Sequence, residues 1–185
     1  MNNIYLVGFM GTGKTAVGRE LVKKKNRLEN RGLASNSQSQ WQFIDLDELI
    51  ELKEKRAIQD IFAKEGEPYF RRIEQETLKE VSKEKKFVVA CGGGIVINKN
   101  NIKIMKDTGI IICLTASPSV ILKRTSGYLH RPLLNVADPK KQIELLLKLR
   151  APYYAKAHKT INTSKISVKE VVNKIIKIIS KKARR

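Results

Sequence analysis

Residues 8–15 read Gly8-Phe9-Met10-Gly11-Thr12-Gly13-Lys14-Thr15, two glycines flanking four residues and then Lys-Thr. Without β-carbons, Gly8, Gly11 and Gly13 let successive backbone N–H groups turn inward on a polyphosphate. Lys14 adds a point charge near the β- and γ-phosphates, and the Thr15 hydroxyl is a ligand for Mg²⁺. This is the phosphate-binding P-loop pattern, and it stands in the context it needs. Ile4-Tyr5-Leu6-Val7 reads as a strand before it, and Ala16-Val17-Gly18-Arg19-Glu20-Leu21-Val22 as a helix after it. The positive end of that helix faces the phosphates. A glycine-rich turn that binds nothing is the bland alternative; strand, loop and helix in this order argue for a bound nucleoside triphosphate.

Other candidate groups are more ambiguous taken singly. Phe43-Ile44-Asp45-Leu46-Asp47 ends an apolar run with two acids one residue apart, and strand alternation predicts that both point to one face. One carboxylate suits a magnesium ion held through water, the other the proton of an acceptor hydroxyl. Asp47 as a simple helix cap is the competing reading. Gly92-Gly93-Gly94 follows the strand-like Phe87-Val88-Val89-Ala90-Cys91 and allows close backbone approach to a ligand, although a flexible turn has the same composition. Arg71 and Glu74 share a helix face, which by itself predicts a solvated salt bridge. The run Arg124-Thr125-Ser126-Gly127-Tyr128-Leu129-His130-Arg131-Pro132-Leu133-Leu134 suits either a mobile flap carrying Arg131 over phosphates or a basic surface loop. Arg150 is a candidate site residue or a favourable charge at a helix C-terminus. His130 and His158 have no metal partners at sensible spacing and read as ordinary polar histidines.

Strands are predicted at 3–7, 42–45, 87–91, 110–114 and 159–162, and helices at 14–25, 46–54, 57–64, 67–84, 98–105, 118–124, 139–150 and 168–180. Such alternation predicts a parallel sheet with helices on both faces. Ser117-Pro118 and the capping box Ser167-Val168-Lys169-Glu170 mark two helix starts. After the second, Val171, Val172, Ile175, Ile176 and Ile179 form a core stripe. The stretch 26–41, with Ser35-Asn36-Ser37-Gln38-Ser39-Gln40, reads as a surface excursion on the sheet edge away from the ligand crevice. At 185 residues the chain is most simply one domain with a full core. No apolar run approaches a membrane span and the first strand leaves no room for a leader, so a cytoplasmic location is expected. Cys91 and Cys113 read as reduced core thiols. The net charge of +19 raises a nucleic-acid reading. Yet the lysines are scattered, or gathered in the tail at Lys181, Lys182, Arg184 and Arg185, and no basic stretch is interleaved with aromatics. No specific nucleic-acid partner is expected.

In order along nearly the whole chain, the loop at 8–15, Asp45-Leu46-Asp47, Phe70-Arg71-Arg72-Ile73-Glu74, Gly92-Gly93-Gly94, Arg131-Pro132-Leu133-Leu134 and Arg150-Ala151-Pro152-Tyr153 resemble the shikimate kinase family. The resemblance implies transfer of the ATP γ-phosphoryl group to the 3-hydroxyl of shikimate, on the route to chorismate and the aromatic amino acids. It implies an α/β fold of the P-loop NTPase type: three layers around a five-stranded parallel sheet, a helical substrate-binding region at about 46–75 and a lid at about 124–136. It also implies a monomer that uses Mg²⁺. On this resemblance Gly11, Thr12, Gly13, Lys14, Thr15, Ala16, Arg124 and Arg131 meet ATP, with Thr15 on the metal and Asp45 supporting it through water. Asp47 contacts the acceptor hydroxyl as a base, Arg71 (oriented by Glu74) and Arg150 clamp the carboxylate, and Gly92, Gly93 and Gly94 offer backbone amides. Lys14, Asp47 and Arg131 are the expected catalytic set. Two features depart from the family: the long separation between Lys14 and Asp45, and a loose match around Ile161-Asn162-Thr163-Ser164, where no adenine contact is assigned. The rivals are a gluconate or nucleoside monophosphate kinase with the same loop and, from another class, a nucleic-acid-binding ATPase.

Overall fold

The computed structural model describes residues 2–29, 40–126 and 136–182. Short runs of β-branched and aliphatic residues make the strands. These are β1 (Asn3–Val7), β2 (Gln42–Asp45), β3 (Phe87–Ala90), β4 (Gly109–Thr115) and β5 (Lys159–Asn162). They form one sheet in the order β2-β3-β1-β4-β5, and every pairing is parallel. Side chains alternate across it. Tyr5, Val7, Val89, Cys91, Ile111 and Cys113 enter the core on one face, and Ile4, Leu6, Val88, Ile110, Ile112 and Leu114 enter that on the other.

Helices α1 (Lys14–Glu29) and α7 (Val168–Lys182) cover the second face. The predicted stripe holds: Val171, Val172, Ile175 and Ile179 are buried there, with Ile176 packed against them. Helices α2 (Leu46–Glu54), α3 (Ile58–Lys83) and α4 (Lys99–Thr108) cover the first. The two helices predicted at 57–64 and 67–84 are the two arms of α3, which meet at a kink at Gly66, whose φ of 79° and ψ of 174° are open to glycine alone. Helices α5 (Pro118–Thr125) and α6 (Pro139–Tyr154) form a satellite layer around Phe9, Ile121 and Ile143. Ser117 caps α5, and Ser167 and Glu170 make the capping box of α7.

The stretch at 26–41 needs correcting at both ends. α1 runs on through Glu29, and Trp41 is a core residue, 2% exposed. Asn26 clamps the Trp41 backbone twice, accepting from its N–H at 2.7 Å and donating to its carbonyl at 3.0 Å. Residues 30–39 lie outside the described residues. Cys91 and Cys113 are free buried thiols, both pushed up in pKa by burial. The His158 imidazole accepts the Ile111 N–H at 2.9 Å and extends the β4 ladder; His130 is among the residues not described. Among the described residues no helix is long and apolar enough to cross a membrane.

β1 pairs with β3 on one side and β4 on the other, so the chain changes direction of winding there. A crevice opens outside the carboxyl ends of the strands at such a point, and the loop after β1 lies in it.

Candidate active site

The loop leaves β1 through Gly8. A β-carbon there would stand 2.1 Å from the Leu114 carbonyl oxygen, so only glycine lets the chain turn against β4. Thr12 is buried and its hydroxyl donates to Phe9 O at 2.7 Å, which closes the loop on itself. Gly11 and Gly13 flank it at positive φ. Lys14 opens α1, and its Nζ donates to Gly8 O at 3.0 Å and Phe9 O at 3.2 Å. The ammonium thus lies across the mouth of the loop. Ala16 is exposed in the first turn of α1.

The Thr15 hydroxyl donates to Asp45 Oδ2 at 2.8 Å, bringing the ends of the loop and of β2 together. Asp45 also caps α2, its Oδ1 accepting the Asp47 N–H at 3.2 Å. This corrects the strand argument for the acid pair. β2 ends at Asp45, and Asp47 sits in the first turn of α2, so helix geometry places it beside Asp45. The cap is Asp45, not Asp47. Asp47 Oδ1 is sealed from solvent and has no hydrogen-bond partner. Burial, then the Asp45 charge, push its carboxyl up to about 6, against the pull of Lys14.

Arg71 does not form the solvated pair that its spacing alone predicts. Its Nη1 donates to Glu74 Oε2 at 2.8 Å, and Glu74 is 0% exposed. Burial pushes Glu74 up to about 7, with Arg71 opposing the shift. Glu67, one turn earlier, accepts from the other side of the guanidinium at 3.0 Å. The turn Gly92-Gly93-Gly94 lies against these groups. A β-carbon on Gly92 would meet Asp47 Oδ1 at 2.8 Å and Glu74 Oε1 at 2.9 Å, and one on Gly94 would meet Arg71 Nη2 at 2.5 Å. One on Gly93 would lie 3.6 Å from both Arg150 Nη1 and Gly8 O. The turn therefore touches the acid, both arginines and the P-loop. α6 continues past Arg150 through Tyr154, so Arg150 is not a terminal charge; its guanidinium lies over the Phe9 ring at 5.7 Å.

Arg124 donates to Gly11 O at 3.1 Å and to Thr163 Oγ1 and O at 3.1 and 2.9 Å. The buried Thr163 hydroxyl in turn reaches Thr12 O at 3.1 Å. Arg131 and the rest of 127–135 lie outside the described residues. Sequence reasoning missed Thr163 and Tyr154. The Tyr154 hydroxyl donates to Gly93 O at 2.7 Å, and its spacing of one helical turn from Arg150 was the available signal.

A parallel sheet carrying a phosphate loop at its reversal point, with an acid from the end of β2 reaching that loop, defines a P-loop NTPase-type α/β protein. Comparison with known proteins narrows that class. A family model described as shikimate kinase matches residues 31–180. The shikimate kinase of Thermodesulfovibrio yellowstonii is 42% identical over 177 residues, 96% of this chain and 94% of that protein. That of Thermoanaerobacter pseudethanolicus is 39% identical over 177 residues, covering 96% and 95%. Among solved structures, shikimate kinase from Acinetobacter baumannii in complex with shikimate superposes with a TM-score of 0.86 at 37% identity, covering 98% of this chain and 94% of that one. The Aquifex aeolicus enzyme gives 0.76 at 31% identity, covering 98% of each. The chain belongs to the shikimate kinase family, a family of kinases that use ATP.

Proposed function

We propose that this chain transfers the γ-phosphoryl group of ATP to the 3-hydroxyl of shikimate, yielding 3-phosphoshikimate and ADP on the way to the aromatic amino acids. The observation that carries the reading is the glycine-rich turn, wedged between Arg71, Arg150 and the P-loop. Two guanidinium groups beside the backbone amides of a glycine turn make a receptor for a planar carboxylate, which a nucleobase does not need.

The backbone of Gly11, Thr12, Gly13, Thr15 and Ala16 would cradle the phosphates, with Lys14 swinging from the loop carbonyls to them. The Thr15 hydroxyl and the Asp45 carboxylate fit Mg²⁺, being hard oxygen donors already 2.8 Å apart. Among the described residues no group of three or more His, Cys, Asp or Glu could hold a metal ion. That suits a metal held mostly by phosphate and water, where it would neutralise charge on the β- and γ-oxygens. Asp47 takes the proton of the attacking hydroxyl, its raised pKa improving the match to an alcohol donor. Arg71 and Arg150 hold the carboxylate, Glu74 orients Arg71, and Gly92–Gly94 contact the acceptor. Arg124 lies near the nucleotide and Arg131 completes the charge around the transferred group. The chemistry is mainly positioning and electrostatics. The chain is read as one domain, with substrate region 46–75 and lid 124–136, acting as a cytoplasmic monomer without a specific nucleic-acid partner.

The test is ADP release from Mg-ATP with shikimate, gluconate, a nucleoside monophosphate or single-stranded DNA. Stimulation by shikimate alone, with 3-phosphoshikimate as product, is expected. Silence with shikimate, or stimulation by another acceptor, overturns the assignment.

A further inference from the structure

We infer that Tyr154 is a positioning residue of the acceptor site, its hydroxyl holding the Gly93 carbonyl beside the Arg150 guanidinium so that turn and arginine meet the carboxylate in one fixed arrangement. The inference rests on the function proposed above. Tyr154 is 7% exposed at the end of α6. Its hydroxyl donates to Gly93 O at 2.7 Å, and a β-carbon on Gly93 would lie 3.6 Å from Nη1 of Arg150, one helical turn earlier on the same helix.

Three successive glycines have the freest backbone a chain can offer, and an amide receptor built on them needs an anchor. Because the peptide unit is planar and trans, holding Gly93 O also fixes the opposite direction of the Gly94 N–H. Arg150 is a long side chain with many rotamers. Its guanidinium lies over the Phe9 ring, 5.7 Å from the centroid, and beside the Gly93 turn. Burial pushes the phenol up to about 12, which keeps it a neutral donor at ordinary pH.

Tyr154→Phe removes one oxygen and leaves the ring in the core. The expected result is a rise of about tenfold in the shikimate KM, with the ATP KM within about twofold of wild type. In an Arg150→Ala background the same change is expected to cost clearly less, since part of its effect passes through that arginine. An unchanged shikimate KM, equal rises for both substrates, or full additivity with Arg150→Ala overturns the inference. The wild-type protein separates this from the broader reading: no shikimate-dependent turnover there refutes the proposed function, whereas an active wild type with an unaffected Tyr154→Phe refutes only the role of Tyr154.

Discussion

Replacing Gly94 by alanine would place a single methyl group against the acceptor-binding arginine. The Gly94 backbone sits at φ −98° and ψ −7°, a conformation any residue adopts, so the substitution adds no backbone strain. The new carbon would stand 2.5 Å from Arg71 Nη2, 2.8 Å from Nη1 and 2.9 Å from Cζ. To restore ordinary contact the guanidinium must retreat by about 1 Å. It is the end of a flexible side chain and can move, but it is held by Glu74 at 2.8 Å and Glu67 at 3.0 Å. A displacement of that size carries a 2.8 Å bond past hydrogen-bond range, and it turns the planar fork away from a carboxylate it would otherwise meet with two parallel bonds. Hydrogen bonds to charged groups contribute about 1.5–3 kcal/mol, so the shikimate KM is expected to rise roughly 10- to 150-fold. ADP release at saturating Mg-ATP with varied shikimate reads this directly, and the ATP KM serves as the internal control. Stability should fall modestly, because Glu74 loses part of its pairing and its carboxyl, already near 7, takes up a proton more easily. A folded Gly94→Ala protein with a shikimate KM within about twofold of wild type would refute the clamp, since the methyl cannot enter without moving Arg71.

Two pH-dependent predictions follow from the buried acids. With the Asp47 carboxyl raised to about 6 in the free protein, kcat/KM for shikimate is expected to fall as pH drops through that value; Asp47→Asn should lower kcat/KM by about 10²–10⁴-fold and flatten that acid limb, and a variant that keeps the wild-type limb would show that another group titrates. Glu74 binds its proton more tightly folded than unfolded, its carboxyl rising from 4.5 to about 7, so its contribution to stability is full below about 4.5 and is lost as pH climbs through 7. Glu74→Gln, which cannot ionise, should therefore gain on the wild type between pH 5 and pH 8 by up to about 3 kcal/mol; urea unfolding across that range checks it, and a constant difference would mean that Arg71 holds Glu74 ionised throughout.

Features set by neighbours in sequence were legible, and features set by distant packing were not. The P-loop is a local conformation, and its glycines, lysine and threonine declare it before any fold is known. The strands announce themselves as short apolar runs between helical periods, and all five fall where expected apart from a residue or so at the ends. The acid pair lies at the edge that its sequence position predicts, but through a different local geometry. Strand alternation does not bring the two acids together; Asp45 turns the chain into α2 by capping it and Asp47 follows helix geometry. The spacing of Arg71 and Glu74 gave their pairing but could not give its environment, because Glu74 is buried beneath Gly92, a residue from another element altogether. Trp41 reads from sequence as part of the polar excursion for a similar reason: its burial comes from packing with α1 and the sheet, with Asn26 supplying the backbone partners.

The two halves of the proposed reaction stand on different parts of the fold. The groups assigned to phosphate and metal lie at strand ends: the loop after β1 and Asp45 at the end of β2, joined by the Thr15 hydroxyl. A parallel ladder fixes those ends relative to one another, as in-line transfer with lysine and metal requires. The groups assigned to the acceptor's carboxylate are borne by helices, Arg71 on α3 and Arg150 on α6, and meet only at the turn after β3. Helices on a sheet face can change their exposed side chains without disturbing the ladder beneath them. This is why a P-loop alone leaves the acceptor open and the arginines around Gly92–Gly94 narrow it. It is also why the bond that locks helix to turn, Tyr154 to Gly93, and the one within α3 that holds Arg71 to Glu74 should affect shikimate KM more than ATP KM.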